Sequence, residues 1–345
     1  MTGSPELRAL ASAPTLDEVA RVAGVSRATA SRAVNGGARV SASAQQAVDE
    51  AVRTLGYVPN RAARTLVTRR TESVAIVVPE PGDRVFSDPF FAGTLRGVNN
   101  VLAEREIQLV LIMARHGAEE DRLLRYLSHR HVDGAVVVSH HRNDRIAAAM
   151  ARLGLPCVFG GRPWDESAGV PYVDVDNVAG GREAARHLIE VGRRRIGTIA
   201  GPADMTAGVD RLTGWRQAMT EAGLATDAVE HGDFTELGGR AAAEKLIAAH
   251  PDLDGLVVAS DLMARGALQV TAAHGLRVPE DMAVVGYDDL GVAEATTPPL
   301  TTIRQPVHEM AERATRMLLE QIDHGGLGDA ARVIIAPQLV RRQSS

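Results

Sequence analysis

Thr15-Leu16-Asp17-Glu18-Val19-Ala20-Arg21-Val22-Ala23-Gly24-Val25-Ser26-Arg27-Ala28-Thr29-Ala30-Ser31-Arg32-Ala33-Val34-Asn35 is the stretch on which the reading of this chain turns. Thr15 is a good helix cap, and Glu18 stands three residues on, the spacing of a reciprocal capping box. Leu16, Val19, Ala20 and Ala23 then fall on one face of a helical period. Gly24 breaks that helix and supplies the sharp turn. Ser26 caps a second helix that runs to about Val34 and ends at Asn35-Gly36-Gly37. Val25, Ala30 and Val34 face the first helix, and the small residues let the pair cross closely. Two short helices joined in this way are a helix-turn-helix. Arg27, Ala28, Thr29, Ser31 and Arg32 remain on the outer face of the second helix, whose N-terminal end is the part that enters a DNA major groove.

That placement makes Arg27 and Ala28 the expected base readers. Arg27 suits a bidentate pair with guanine, on the order of 1–3 kcal/mol of discrimination. Ala28 offers apolar contact or close approach. Thr29, Ser31, Arg32 and Asn35 are expected to hold phosphates and fix register; Thr15, Ser26, Arg39 and Tyr57 complete the expected DNA-facing set. A third helix is predicted from about Ser43 to Leu55, with Ala47, Val48, Ala51, Val52 and Leu55 apolar and Gly56 as its stop.

Working outward, 345 residues are too many for one ordinary domain. The net charge of −5 looks wrong for a nucleic-acid binder until it is divided. Residues 1–70 hold ten arginines against five acids, giving +5 and leaving −10 for the remainder. A small basic head on a larger acidic body follows. No apolar run approaches the roughly 20 residues that span a bilayer. Residues 1–14 lack a signal-peptide pattern and read as a disordered arm. Cys157 is the single cysteine, which excludes an internal disulfide and a cysteine-rich zinc site. A cytoplasmic protein without cofactor or metal is expected.

From Ser73 onward, short β-branched runs alternate with amphipathic helical stretches. Strands are predicted at 73–78, 107–112, 132–138, 155–159, 171–175, 195–200, 254–259 and 282–286. Such alternation implies parallel sheets built from βαβ units, and the number of units calls for two lobes. The expected fold class is an all-α helix-turn-helix head followed by an α/β body of two parallel-sheet lobes. The expected divisions are a head at 15–58, a linker at 59–71 and a body at 72–340. Within the body, a first lobe is expected at about 72–170 and 305–330, and a second at about 171–304 and 331–340.

Gly24-Val25-Ser26 with Thr29, Ser31-Arg32 and Asn35, then Val40-Ser41, then Gly56-Tyr57-Val58-Pro59-Asn60-Arg61-Ala62-Ala63-Arg64-Thr65-Leu66, resembles the LacI/GalR family of bacterial repressors. The resemblance covers essentially the whole chain. It implies a hinge helix at Asn60 to Leu66 that lies in the minor groove, with Leu66 wedged into the central base step beside Ala63. An apolar wedge of that kind kinks a step, and so short a helix needs DNA and a second copy beside it to form. The strings around Asn60–Thr71, Gly160-Gly161-Arg162-Pro163 and Ala259-Ser260-Asp261-Leu262-Met263 are most similar to actinobacterial repressors of cellobiose and related oligosaccharide uptake.

The resemblance also implies a periplasmic-binding-protein-like body with an effector cleft between its lobes, at the carboxyl ends of the strands where ligands of α/β sheets sit. Arg211 and Asp288 match the family's hydroxyl-binding pair, and Phe234 an aromatic stacking position. Ser260 departs from relatives that carry asparagine. Asp261 reads equally as a ligand contact or a helix cap, and Phe90 as cleft lining or core. Ser139 and Arg162 are further candidates, Arg162 equally suited to a surface ion pair. His129, His131, His140 and His141 cluster about one strand without a carboxylate or cysteine set and read as solvated loop histidines. The implied protein is a homodimeric repressor that a sugar releases from a pseudo-palindromic operator. A non-sugar effector such as a purine, or a sugar-binding transport protein, is the alternative. An enzyme is excluded by the lack of a phosphate loop, a dinucleotide fingerprint and a nucleophile elbow.

Overall fold

A computed structural model describes residues 14–35, 40–58, 70–166, 169–325 and 331–345. The chain divides into two compact units between Thr71 and Glu72.

The first unit holds α1 (Leu16–Ala23), α2 (Arg27–Val34) and α3 (Ala42–Leu55). Thr15 and Glu18 form the full capping box, and Gly24 closes α1 in the left-handed region at φ 66°. Ser26 and Ser41 cap the next two helices through their hydroxyls. Val19, Ala20, Ala30, Ala33, Val48 and Ala51 make the buried core. Four of these six side chains are single methyl groups. Each contributes little burial energy, so the helix ends must supply a large share of this unit's stability.

The second unit carries two six-stranded sheets. In the first lobe, β1 (Ser73–Val78), β2 (Gln108–Met113), β3 (Gly134–Val138), β4 (Cys157–Gly160), β5 (Tyr172–Val175) and β11 (Arg332–Ile335) lie in the order β11-β5-β4-β3-β1-β2. All their pairings are parallel. In the second, β6 (Ile196–Ala200), β7 (Val229–His231), β8 (Gly255–Val258), β9 (Ala283–Asp288), β10 (Thr301–Arg304) and β12 (Gln338–Val340) lie in the order β12-β10-β9-β8-β6-β7. Only β12 is antiparallel to its neighbour.

The helices between them are α4 (Gly82–Ser87), α5 (Pro89–Ala103), α6 (Ala118–Ser128), α7 (Ile146–Leu153), α8 (Asn177–Glu190), α9 (Thr206–Glu221), α10 (Glu236–Ala249), α11 (Asp261–Ala273), α12 (Val292–Ala295) and α13 (Val307–His324). Each sheet is covered on both faces by separate apolar clusters. This is why its strands read as continuous β-branched runs rather than alternating ones.

Two boundaries differ from the sequence expectation. Residues 172–175 and 332–335 belong to the first lobe, not the second, because β11 pairs in parallel with β5 from Arg332↔Tyr172 to Ile335↔Val175. A short β-branched run has the same period in either sheet, so the sequence does not name its partner. The last residues before the expected return to the first lobe at about 305 form a strand, β10. The chain therefore changes lobe after Val175, after Arg304 and after Ile335. The helices α4, α7 and α12 and the strands β10, β11 and β12 lacked a sequence signal.

Candidate functional site

In the head, Arg27, Ala28, Arg32 and Asn35 are exposed on α2, and Thr29 and Ser31 are half-buried. Arg27 Nε pairs with Asp17 at 3.1 Å, both side chains largely in solvent. Such a pair is weak and leaves the guanidinium free to exchange partners. Thr15 and Ser26 are engaged as helix caps. Asn35 donates to Ser31 O at 2.8 Å, and Tyr57 packs on the head core. Arg39, Asn60, Ala63 and Leu66, with the hinge they define, lie outside the described residues.

In the body, a cavity of about 900 Å³, counting its open mouth, lies between the lobes. It opens at the carboxyl ends of β1, β3, β4, β8 and β9. Three lining residues at strand ends or in the turns that follow them, Ser139, Phe234 and Asp288, have φ of 57°, 64° and 120°. Non-glycine residues rarely adopt such angles, and they cluster where a site demands them.

Arg211 organises the second-lobe wall. Its Nε donates to Asn177 Oδ1 at 2.9 Å and its Nη1 to the Ala259 carbonyl at 2.6 Å. Nη1 also approaches Asp288 Oδ1, and Nη2 approaches Gln305 Oε1, both at 3.4 Å. Its guanidinium lies 3.6 Å from the Tyr287 ring centre and 5.7 Å from that of Phe234. Glycine makes this possible: a Cβ on Gly181 would stand 2.1 Å from the Arg211 carbonyl oxygen, and one on Gly214 2.0 Å from that of Val178. α8 and α9 thus meet backbone to backbone, and Arg211 reaches the first residue of α8.

The carboxylates are strongly conditioned. Burial pushes Asp288 up, and Arg211 offsets part of that. Burial also raises Asp174, to about 6, against hydrogen bonds from the Arg162 and Val175 amides. Asp88 caps α5 by accepting from Phe90 N at 2.9 Å, and burial raises it too.

Six of the eight expected effector residues line this cavity: Phe90, Ser139, Arg211, Phe234, Ser260 and Asp288. Asp261 and Arg162 do not. Asp261 is buried beneath the wall, where it accepts from Thr302 Oγ1 at 2.6 Å and Asp289 N at 2.7 Å. Arg162 ties the lobes together through Asp210, with two contacts of 2.9 Å. Sequence reasoning missed Arg84, Asp174, Asn177 and Gln305; the last three flank lobe crossings that only the topology reveals.

The histidines also need correcting. His140 is buried at the cavity, and burial lowers it to about 4. His141 bridges the lobes, with Nδ1 at 2.8 Å from Asp204 Oδ2 and Nε2 at 3.1 Å from Glu80 Oε1. Neither is a solvated loop residue, because the turn after β3 points inward at the second lobe.

Known proteins share this organisation. Residues 15–60 match the description "Bacterial regulatory proteins, lacI family", and residues 185–345 match "Periplasmic binding protein-like domain". The HTH-type transcriptional regulator CelR of Thermobifida fusca is 48% identical over 338 residues, covering 96% of this chain and 98% of that protein. A solved transcriptional regulator CelR–cellobiose complex superposes with a TM-score of 0.77 at 46% identity, covering 96% of this chain and all of that one. The lac repressor dimer bound to operator and an anti-inducer gives a TM-score of 0.84 at 26% identity, covering 96% and 98%. These relatives regulate transcription and are not enzymes, and the chain itself belongs to the lacI family of bacterial regulatory proteins.

Proposed function

We propose that this chain is a cytoplasmic, homodimeric repressor of carbohydrate-utilisation genes whose cleft takes a β-linked disaccharide of the cellobiose type. The observation that carries the reading is the second-lobe wall, in which Arg211, Asp288, Asn177 and Gln305 present fixed donors and acceptors beside Phe234. Sugar hydroxyls need paired donors and acceptors, and a sugar ring needs an apolar face. The likeness to a regulator solved with cellobiose supports the same effector class.

In this reading, residues 15–58 read the operator through Arg27 and Ala28. Thr29, Ser31, Arg32 and Asn35 grip the backbone, and residues 59–71 form the hinge, with Leu66 as its wedge. Two copies match a pseudo-palindrome. The sugar shifts the lobes toward the arrangement that it binds more tightly. It weakens DNA binding only by that difference in affinity.

The test is operator affinity at fixed salt, since salt alone changes such affinities greatly. A duplex selected by the protein from random DNA is titrated with and without cellobiose, with ribose and a purine base as controls. Release by cellobiose alone is expected. Release by the purine, or by nothing in the panel, overturns the effector reading.

A further inference from the structure

Nothing in the sequence marked Arg84, yet its surroundings set it apart. It sits on the short helix α4, lines the cavity and keeps only 12% of its side-chain surface exposed. Nη1 donates to Glu80 Oε1 at 2.5 Å. The same oxygen accepts from Ser139 Oγ at 2.7 Å and lies 3.1 Å from His141 Nε2. The guanidinium stands 5.9 Å from the Phe91 ring centre in the first lobe and 5.5 Å from that of Phe234 in the second. Its remaining edge, Nε and Nη2, has no acceptor among the described residues, and Nε is shut off from solvent.

A guanidinium has five donors in a fixed fork, and the edge formed by Nε and Nη2 makes its parallel two-bond contacts. Leaving a buried donor unmatched costs about 1–3 kcal/mol, so such groups call for an explanation. Arg84 is anchored through the nitrogen that does not belong to that edge. Glu80 and the two rings hold the fork in place; Nε is covered in this arrangement of the lobes, so a ligand engages the paired edge only with a small shift of the surrounding wall.

We propose that Arg84 determines effector specificity by donating through this edge to a neutral vicinal diol of the bound sugar. A neutral diol is the simpler match, because Asp88, Asp174 and Asp288 line the same cavity and offset the charge of Arg84 and Arg211. The inference rests on the sugar reading above and deepens it.

Arg84→Lys is the decisive variant. Lysine keeps the charge beside Glu80 but has no paired edge. Calorimetry on the full-length protein measures cellobiose and its aldonic acid, cellobionate, with unfolding midpoints recorded without ligand. The expected result is a ~10–100-fold loss of cellobiose affinity in Arg84→Lys, with an unchanged midpoint, and cellobionate weaker than cellobiose in wild type. Equal cellobiose affinity in the variant overturns the role of Arg84 while leaving the sugar reading intact. Tighter cellobionate overturns the neutral-diol assignment. A wild-type protein that binds neither overturns the sugar reading, and this inference with it. Arg84→Gln removes the charge as well; if it loses far more cellobiose affinity than Arg84→Lys, the effect is one of charge and not of the fork.

Discussion

Arg211 and Arg84 face one cavity from opposite lobes, and their surroundings differ. Arg211 has an acceptor at each nitrogen and an aromatic ring beneath it. Arg84 has one acceptor, Glu80, and an unpaired Nε. The lobes that carry them share one strand order, β11-β5-β4-β3-β1-β2 against β12-β10-β9-β8-β6-β7. The contrast therefore lies in the loops and helix starts grafted onto equivalent scaffolds. The second-lobe wall is organised before a ligand arrives, so binding to it requires little ordering. The first-lobe wall is completed by the ligand, so that side can convert effector identity into lobe position.

Removing Arg211 is the most severe way to break this comparison. Arg211→Met leaves Asp288, Asn177 and Gln305 without their shared partner in a buried site. Stripping one member from a buried charged pair costs about 3–5 kcal/mol. Asp288, already raised by burial, softens the loss by holding a proton. The expected outcome is a drop of about 3 kcal/mol in denaturant-measured stability, together with loss of detectable cellobiose binding. A variant that binds cellobiose normally would show that the second lobe is scaffold only.

The head and the cleft also differ in how much of each the sequence disclosed. Thr15, Glu18, Gly24 and Ser26 act within a few residues of themselves, so capping and turn chemistry placed α1 and α2 to within a residue. Eight of the strands were legible for the same reason. Asn177 and Gln305 carry no local mark. They reach the cavity because the chain crosses between lobes beside them, which depends on β5 and β11 pairing across about 160 residues of sequence. Arg162 was legible as a cation and not as a lobe tie, since its partner Asp210 lies 48 positions away. His141 has carboxylate partners at similar distances in the chain.

A milder perturbation, pH, acts on the seam between the two walls. Hydrogen bonding and charge from Glu80 and Asp204 raise His141 to about 9. Its folded-state value exceeds its ordinary value, so its contribution is fully present below about 6.5 and is lost as pH rises through about 9. Asp174, raised to about 6, titrates well below that window. Lobe closure, followed by scattering with cellobiose present, is expected to loosen between pH 8 and 10 in wild type. His141→Gln should be looser at neutral pH and show no further step. A wild-type profile that is flat across this range would remove His141 from the seam.

The smallest effect expected is at Arg162, and it sharpens the comparison because this residue joins the walls without belonging to either. Its side chain is 29% exposed and its partner Asp210 17% exposed, so the pair stands between a surface bridge and a buried one. Exposed pairs contribute about 0–1 kcal/mol, and partial burial places this one near the top of that range. Arg162 is absent from the cavity wall, so no ligand atom distinguishes it. Arg162→Gln should therefore weaken every effector alike, by about fivefold or less, with the ranking among sugars unchanged. Arg84→Lys should change that ranking. If Arg162→Gln reorders the sugars, Arg162 reaches the ligand in the closed state, and the separation drawn here between residues that read the effector and residues that couple the lobes fails.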